Sequence, residues 1–339
     1  MVTTPDTPLI SIVIPTYNRA DMLREALHSA LNQTYPNFEI VVSDNASTDH
    51  TAEVVGSFND LRIRYFRQTE NIGVTPNWKY GVSQASADWI TLLADDDHYL
   101  PDHLEFGMSV LRRHPTVTYH VCRAEYFGGM SGINYQDGIV DTTTPELYFA
   151  PRQAVDFLGI DHPGLISTIL CRKADLMDVF WGPPGFVPLD LLVLPQLMVR
   201  GGFVFSNHVT VHYRVHSAMA SLVGSSNVAK SLKFNLMVWY GVRYLAQFLL
   251  DQSVCNYEDI KQHGLQAKVS RHVVPLVLGL ASFDASPTLR QVAKRIFAAR
   301  RDMDVHSSRF RLARRMGFWI LPLLERWSQT RLGWRPMTS

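Results

Sequence analysis

The 339 residues, 46% of them apolar and with a formal net charge of +1, are enough for two domains or for one α/β domain with an extension, and they can bury a sizeable core. Three cysteines, Cys122, Cys171 and Cys255, odd in number and far apart, exclude a disulfide framework and a cysteine-based metal site, and they suit a reducing compartment. The start lacks a basic stretch followed by an apolar one and no apolar run reaches roughly 18 residues, so neither a secretory leader nor a spanning helix is expected, and the expected location is cytoplasmic.

Residues 9–15 (LISIVIP) form a short apolar run closed by proline, which predicts a fully buried parallel strand. Asn18 is placed to cap a helix whose apolar positions Leu23, Leu27 and Leu31 recur every four residues. A second strand, 38–43, runs into Asp44-Asn-Ala-Ser-Thr-Asp49, a cluster of capping and turn residues, ahead of a helix over 51–58. A third strand at 63–66 and a polar turn at 70–73 lead to a helix with Thr75 as cap and Pro76 at its first position. Then come a strand at 89–94, a helix over 101–114 and a strand at 117–122. Such alternation predicts an α/β fold with a parallel, doubly wound sheet, whose ligands bind off the carboxyl ends of the strands. Tyr17, Asp44 and the run Asp95, Asp96, Asp97 all fall at those ends.

From 124 to 161 the pattern dissolves into Gly, Thr, Pro and aromatic residues, which predicts a long loop of the kind that carries specificity. Residues 186–205 read as an apolar helical segment with one carboxylate, Asp190, at its start, and a last strand at 209–213 leads to Arg214-Val-His-Ser217. Beyond Asn227 the chain reads helical, with Met237, Tyr240, Tyr244 and Phe248 on one face and interruptions at Pro275, Pro287 and Pro322. A division into 1–222 and 223–339 follows. From Leu289 onward twelve Lys/Arg stand against three Asp/Glu, so the tail carries about +9 and everything before it about −8. Arg309, Arg311, Arg314 and Arg315, followed by Phe318-Trp-Ile-Leu321, suit an interfacial helix on anionic lipid at the inner face of the membrane. The plainer reading is a solvated basic face of a helical subdomain. Nucleic acid is not an expected partner, because no recognition motif accompanies the charge.

Three successive carboxylates at the end of an apolar strand repel one another. A hard divalent cation, Mg2+ or Mn2+, removes that penalty and can carry substrate phosphates in turn. The alternative is an acidic turn ahead of the helix that begins near Pro101.

Taken in order, SIVIPTYNR at 11–19, VVSDNASTD at 41–49, Asn71-Ile-Gly73, the acidic run with Pro101 after it, and Tyr213-Arg-Val-His-Ser217 resemble the signatures of family 2 glycosyltransferases. The resemblance covers roughly residues 8 to 220. It implies a GT-A fold with a mostly parallel central sheet flanked by helices, here with a helical C-terminal extension. It also implies a nucleotide-sugar donor with UDP as its first candidate, a divalent metal, and an inverting single displacement. The implied acceptor is a hydroxyl of a glycan or a lipid-linked glycan in cell-surface polysaccharide synthesis. Carried onto these positions, Pro15, Thr16 and Tyr17 form the wall on which the base packs, and Asp44 accepts a hydrogen bond from it. Asn71 and Gly73 make the turn that the donor approaches, and Asp95 sits near the ribose. Asp96 ligates the metal, His216 ligates it or contacts the diphosphate, Arg214 supplies positive charge, and Asp190 is the base. The chain departs from the commonest pattern at Ala94 and Leu189, where acids are usual.

The chemistry also stands on its own terms. A departing nucleoside diphosphate develops negative charge, which a carboxylate-held metal stabilises. A carboxylate in a partly apolar pocket has the basicity to take a proton from an attacking hydroxyl. Plainer roles exist for each residue: helix caps for Asp44 and Asp190, core packing for Tyr17, an ordinary turn for Asn71 and Gly73, a structural imidazole for His216. Two rival functions remain at this stage. A nucleotidyltransferase would carry a Gly-rich basic loop after the first strand, where Pro15-Thr-Tyr-Asn18 stands. A non-catalytic nucleotide-sugar-binding or scaffolding protein is favoured by Ala94 and Leu189.

Overall fold

The computed structural model describes residues 7–128, 143–158, 162–182 and 189–216, and in the C-terminal part 238, 241, 244–256 and 259. The chain divides into two compact units, residues 1–157 with 161–219, and 158–160 with 220–339.

The first unit is built on β1 (Ile10–Thr16), β2 (Phe38–Asp44), β3 (Ile63–Arg67) and β4 (Trp89–Leu92), which lie parallel in the order β3-β2-β1-β4. All seven residues of β1 and of β2 are buried, as expected for strands covered on both faces. Alternate residues face opposite layers. Ile10, Ile12, Ile14, Ile40 and Val42 join Leu23, Ala26, Leu27 and Ala30 of helix α1 (Ala20–Leu31) in one core. Val13 and Ser43 face helix α3 (Val74–Gln84), where Gly81 lets the helix come close. Helix α2 (Thr51–Gly56) completes the alternation, and each fully buried Ile or Leu in this core contributes about 1.5–3 kcal/mol.

After β4 the topology turns mixed. A two-residue strand β5 (His98–Tyr99) precedes helix α4 (His103–Arg113), and β6 (Tyr119–Gly128) follows. Strand β8 (Ile169–Arg172) inserts antiparallel between β4 and β6, after β7 (Glu146–Phe149) and a short α5 (Lys173–Met177) on its far side. Helix α6 (Leu189–Gly201) leads into the long β9 (Phe203–Val215), which pairs parallel with β6 and antiparallel with β5 and β7.

Four expectations are corrected. Asn18 does not cap α1: it has φ 52° and its side chain turns to the Thr48 N–H, while the Ala20 N–H of α1 donates to Asp49 Oδ2 at 3.0 Å. Helix α3 starts at Val74 with Gly73 before it, so Thr75 and Pro76 lie one turn-step further in. The segment after 122 is not all loop, since β6 runs on to Gly128, β7 follows, and 151–158 form a 3-10 turn. The helical run ends at Gly201, because Gly202 takes φ 77° and its N–H closes on the Met198 carbonyl at 2.7 Å. Phe203, Val204 and Phe205 are therefore strand. A Cβ at Gly202 would come within 2.3 Å of the Phe149 carbonyl oxygen, so the close approach requires glycine there.

In the second unit, 244–251 are helical with Leu245 and Leu249 buried, and the rings of Tyr244 and Phe248 lie 6.4 Å apart. Among the described residues no helix is long and apolar enough to cross a membrane. The basic tail lies outside the described residues.

Candidate active site

The carboxyl ends of β1, β2 and β4 meet at one edge, where β9 also delivers its last residues. Asp95, Asp96 and Asp97 follow β4. Asp95 is buried; its Oδ2 accepts from Thr16 Oγ1 at 2.7 Å and its Oδ1 from Arg19 Nη1 at 2.9 Å. Burial raises its pKa to about 6 even though Arg19 pulls it down. Asp96 Oδ2 takes the same Arg19 nitrogen at 2.7 Å and stands 3.0 Å from His216 Nε2. Asp97 is buried and faces inward: Oδ2 accepts from Ser167 Oγ at 2.6 Å and Oδ1 from the Arg214 N–H at 2.9 Å. Its pKa lies well above the carboxylate range because burial dominates, with the Asp96 charge adding to it.

Arg214 is a clamp. Its Nε donates to the Asp96 carbonyl at 2.9 Å, its Nη2 pairs with Glu25 of α1 and lies 3.0 Å from His98 Nε2, and its guanidinium rests over Phe127 at 4.6 Å. Its charge is therefore engaged in fixing the acidic loop to β9 and α1.

On the β2 side, Asp44 is buried. Its Oδ2 accepts from Tyr65 Oη at 2.5 Å and its Oδ1 from the Ser47 N–H at 2.9 Å, with Arg67 Nε 3.7 Å away. It therefore shapes a turn rather than capping a helix. Asn45 and Asn71 interlock: Asn45 Nδ2 donates to Asn71 Oδ1 at 3.0 Å, which also accepts the Gly73 N–H at 2.9 Å. Gly73 has φ 90°. Pro15 is buried and Tyr17 is 43% exposed, so Tyr17 is not a core residue.

Asp190 lies in the first turn of α6, half-buried, with its Oδ1 3.0 Å from the Leu191 N–H. Burial raises the pKa of the Tyr213 phenol, and the charges of Asp97, Asp190 and Asp96 push it further the same way.

Arg19, Ser167, Tyr65 and Glu25 had no assigned role from sequence. Arg19 stands inside the 11–19 motif, so a signal existed for it. Ser167 and Glu25 are placed by tertiary contacts alone.

Asp96 and His216 are metal-ligand types that lie together, joined by a 3.0 Å hydrogen bond between Oδ2 and Nε2, and as a carboxylate and an imidazole they would suit a divalent ion that replaced that bond. Among the described residues no group of three His, Cys, Asp or Glu forms a protein cage. Substrate oxygens and water would complete such a shell, as is usual for Mg2+.

Residues 11–176 match the model of glycosyl transferase family 2. Those residues, just under half of the chain, carry a domain of that family. An uncharacterised glycosyltransferase of Rickettsia felis is 42% identical over 31% of this chain and 18% of its own length. The GalNAc(5)-diNAcBac-PP-undecaprenol beta-1,3-glucosyltransferase of Campylobacter jejuni is 35% identical over 37% of this chain and 41% of its own. The chain thus spans less than half the length of these curated relatives. The crystal structure of S. aureus TarS 1-349 superposes with a TM-score of 0.54 at 16% identity, covering 97% of this chain and 93% of that one. A complex of the same fragment with UDP-GlcNAc gives 0.54 at 17% identity over 81% and 80%. This likeness shows the fold, the GT-A arrangement expected from the sequence.

Proposed function

We propose that the chain is a metal-dependent inverting glycosyltransferase that moves a sugar from a UDP-sugar to a hydroxyl of a glycan or lipid-linked acceptor. The observation that supports the reading is the joining of Asp95, Asp96, Asp97 and His216 at the end of β9, through Arg19 and the Arg214 N–H. Two similar proteins support the choice of substrate classes: TarS is solved with UDP-GlcNAc, and the Campylobacter enzyme is named for an undecaprenol-linked glycan.

In this reading Tyr17, backed by Pro15 and Thr16, stacks on the base. Asp44 and the Asn71-Gly73 turn bound its pocket, and Asp95 reaches the ribose. Asp96 and His216 hold Mn2+ or Mg2+, which when bound stabilises the charge developing on the leaving diphosphate. Asp190 accepts the proton of the acceptor hydroxyl as its oxygen bonds to the anomeric carbon. The bond from that carbon to the diphosphate oxygen breaks on the opposite face, and its electron pair leaves with UDP. Arg214 keeps the acidic loop in register through the Asp96 carbonyl and the Asp97 carboxylate. The basic tail is the part of the chain we assign to contact with anionic lipid near such an acceptor, in the synthesis of surface polysaccharide.

The test pairs UDP calorimetry with a donor-consumption assay over a panel of nucleotide sugars, each with and without MnCl2. UDP binding should need the metal, and Asp190→Asn should keep UDP affinity while turnover falls by about 10²–10⁴. Unchanged turnover in that variant removes Asp190 as base. UDP binding without consumption of any donor points instead to a non-catalytic nucleotide-sugar-binding protein.

A further inference from the structure

Arg19 stands in the loop between β1 and α1, and its Nη1 serves two carboxylates at once, Asp95 Oδ1 at 2.9 Å and Asp96 Oδ2 at 2.7 Å. That Asp96 oxygen is the one that faces His216. A divalent ion on that oxygen would face the guanidinium across it, and charges of +2 and +1 so close repel strongly even at a surface-like dielectric. The two cations compete for one oxygen.

We propose that Arg19 is a resident counter-cation: it holds the acidic loop in the metal-free protein, yields Asp96 when a divalent ion arrives, and then pairs with the diphosphate of the nucleotide. This rests on the metal and donor reading given above. Three observations carry it. The Arg19 side chain is 28% exposed, so it has a way out. Its backbone neighbours are pinned, Asn18 N to Ser47 Oγ at 2.9 Å and Ala20 N to Asp49 Oδ2 at 3.0 Å, so the side chain can swing while the loop stays. Asp95 Oδ2 keeps Thr16 as a partner when the guanidinium leaves, and its Oδ1, which loses Arg19, is then open to the ribose hydroxyl assigned to it above. An incoming diphosphate brings the anion that the displaced guanidinium needs, next to the metal and to the strand ends. Arg19 is thereby a positioning group without nucleotide and a binding group with it.

The test uses the full chain and two variants, Arg19→Gln and Arg19→Lys. Mn2+ binding without nucleotide is read from the free-ion electron paramagnetic resonance signal, and UDP binding from calorimetry at saturating Mn2+. Arg19→Gln should bind Mn2+ alone about tenfold more tightly, because a competing charge is gone. It should bind UDP with Mn2+ about tenfold more weakly, because a charge-assisted contact is gone. Arg19→Lys, which keeps the charge but not the fork and guards against a folding defect, should lie between the unaltered chain and Arg19→Gln in both. A residue that merely shaped the loop would move both affinities the same way, and that result overturns the proposal. Equal Mn2+ affinity in the unaltered chain and Arg19→Gln also overturns it while leaving the metal reading intact. Absence of Mn2+ binding in all three chains overturns both.

Discussion

At Asp96 one carboxylate oxygen carries the contacts of Arg19 and His216, and the residue scale of the site is decided there. Asp97 next door points the other way, into Ser167 and the Arg214 backbone. The acidic run therefore splits into a pair that shares Arg19, Asp95 and Asp96, and an anchor held by Ser167 and the Arg214 backbone, Asp97, a division that three identical letters in a sequence do not reveal. Asp96→Ala and His216→Ala should each weaken Mn2+ binding by more than the roughly 10- to 100-fold lost when an outer partner of a ligand is removed. Calorimetry with MnCl2 on the nucleotide-free chain reads this directly, and Mn2+ affinity unaltered by His216→Ala would assign that imidazole to structure. Ligand-type residues were legible because carboxylates are costly at the end of a buried strand. Their partners were not, since Ser167 lies 70 positions from Asp97 and Glu25 lies 189 from Arg214.

Among elements, the packing of α3 on the sheet hangs on one small residue. A Cβ at Gly81 would meet Val13 Cγ1 at 2.8 Å and Ser43 Cβ at 3.0 Å. Alanine would gain about 1 kcal/mol of helix propensity, but forcing the helix off two fully buried strands costs about 1–3 kcal/mol. Gly81→Ala should therefore lower the urea midpoint, and a raised midpoint would show that α3 has slack to shift. The elements of the first 122 residues were legible because parallel strands read as short apolar runs closed by Pro15 or by turn residues such as Asp44. The later ones were harder. Strand β7 has no buried residue and β6 loses its buried pattern after Ala124, so neither shows an apolar run there. Strand β8 is only four residues long. The start of α3 is set by the positive φ of Gly73 rather than by the proline after it.

For the whole molecule, the pH dependence of stability is written in two histidines that do no chemistry. His103 and His120 are buried, bonded to Thr210 and Ser206. Burial pushes both pKa values down to about 3. An unfolded histidine takes its proton near pH 6.5, so between that value and about 3 the unfolded chain binds more protons and stability falls as pH is lowered. Each contributes up to about 1.4 kcal/mol per pH unit in that window. Asp95 and Asp97, with raised pKa values, act in the opposite sense, so the difference between chains is the proper measure. His120→Asn should lose less thermal midpoint than the unaltered chain on going from pH 6.5 to 5, and identical losses would show that His120 does not titrate on unfolding. At this scale the sequence supplied the α/β alternation and the strand-end location of the site, because both follow from local periodicity. The insertion of β8 against the run of the sheet did not, because register between distant strands leaves no local trace.

The loops after β1 and β2 share their hydrogen bonds: Asn18 with Ser47 and Thr48, Ala20 with Asp49. They therefore behave as a single cassette. Neither can be lengthened or transplanted from a cousin without its mate, and chimeras built to swap donor preference have to exchange 16–20 and 44–51 together.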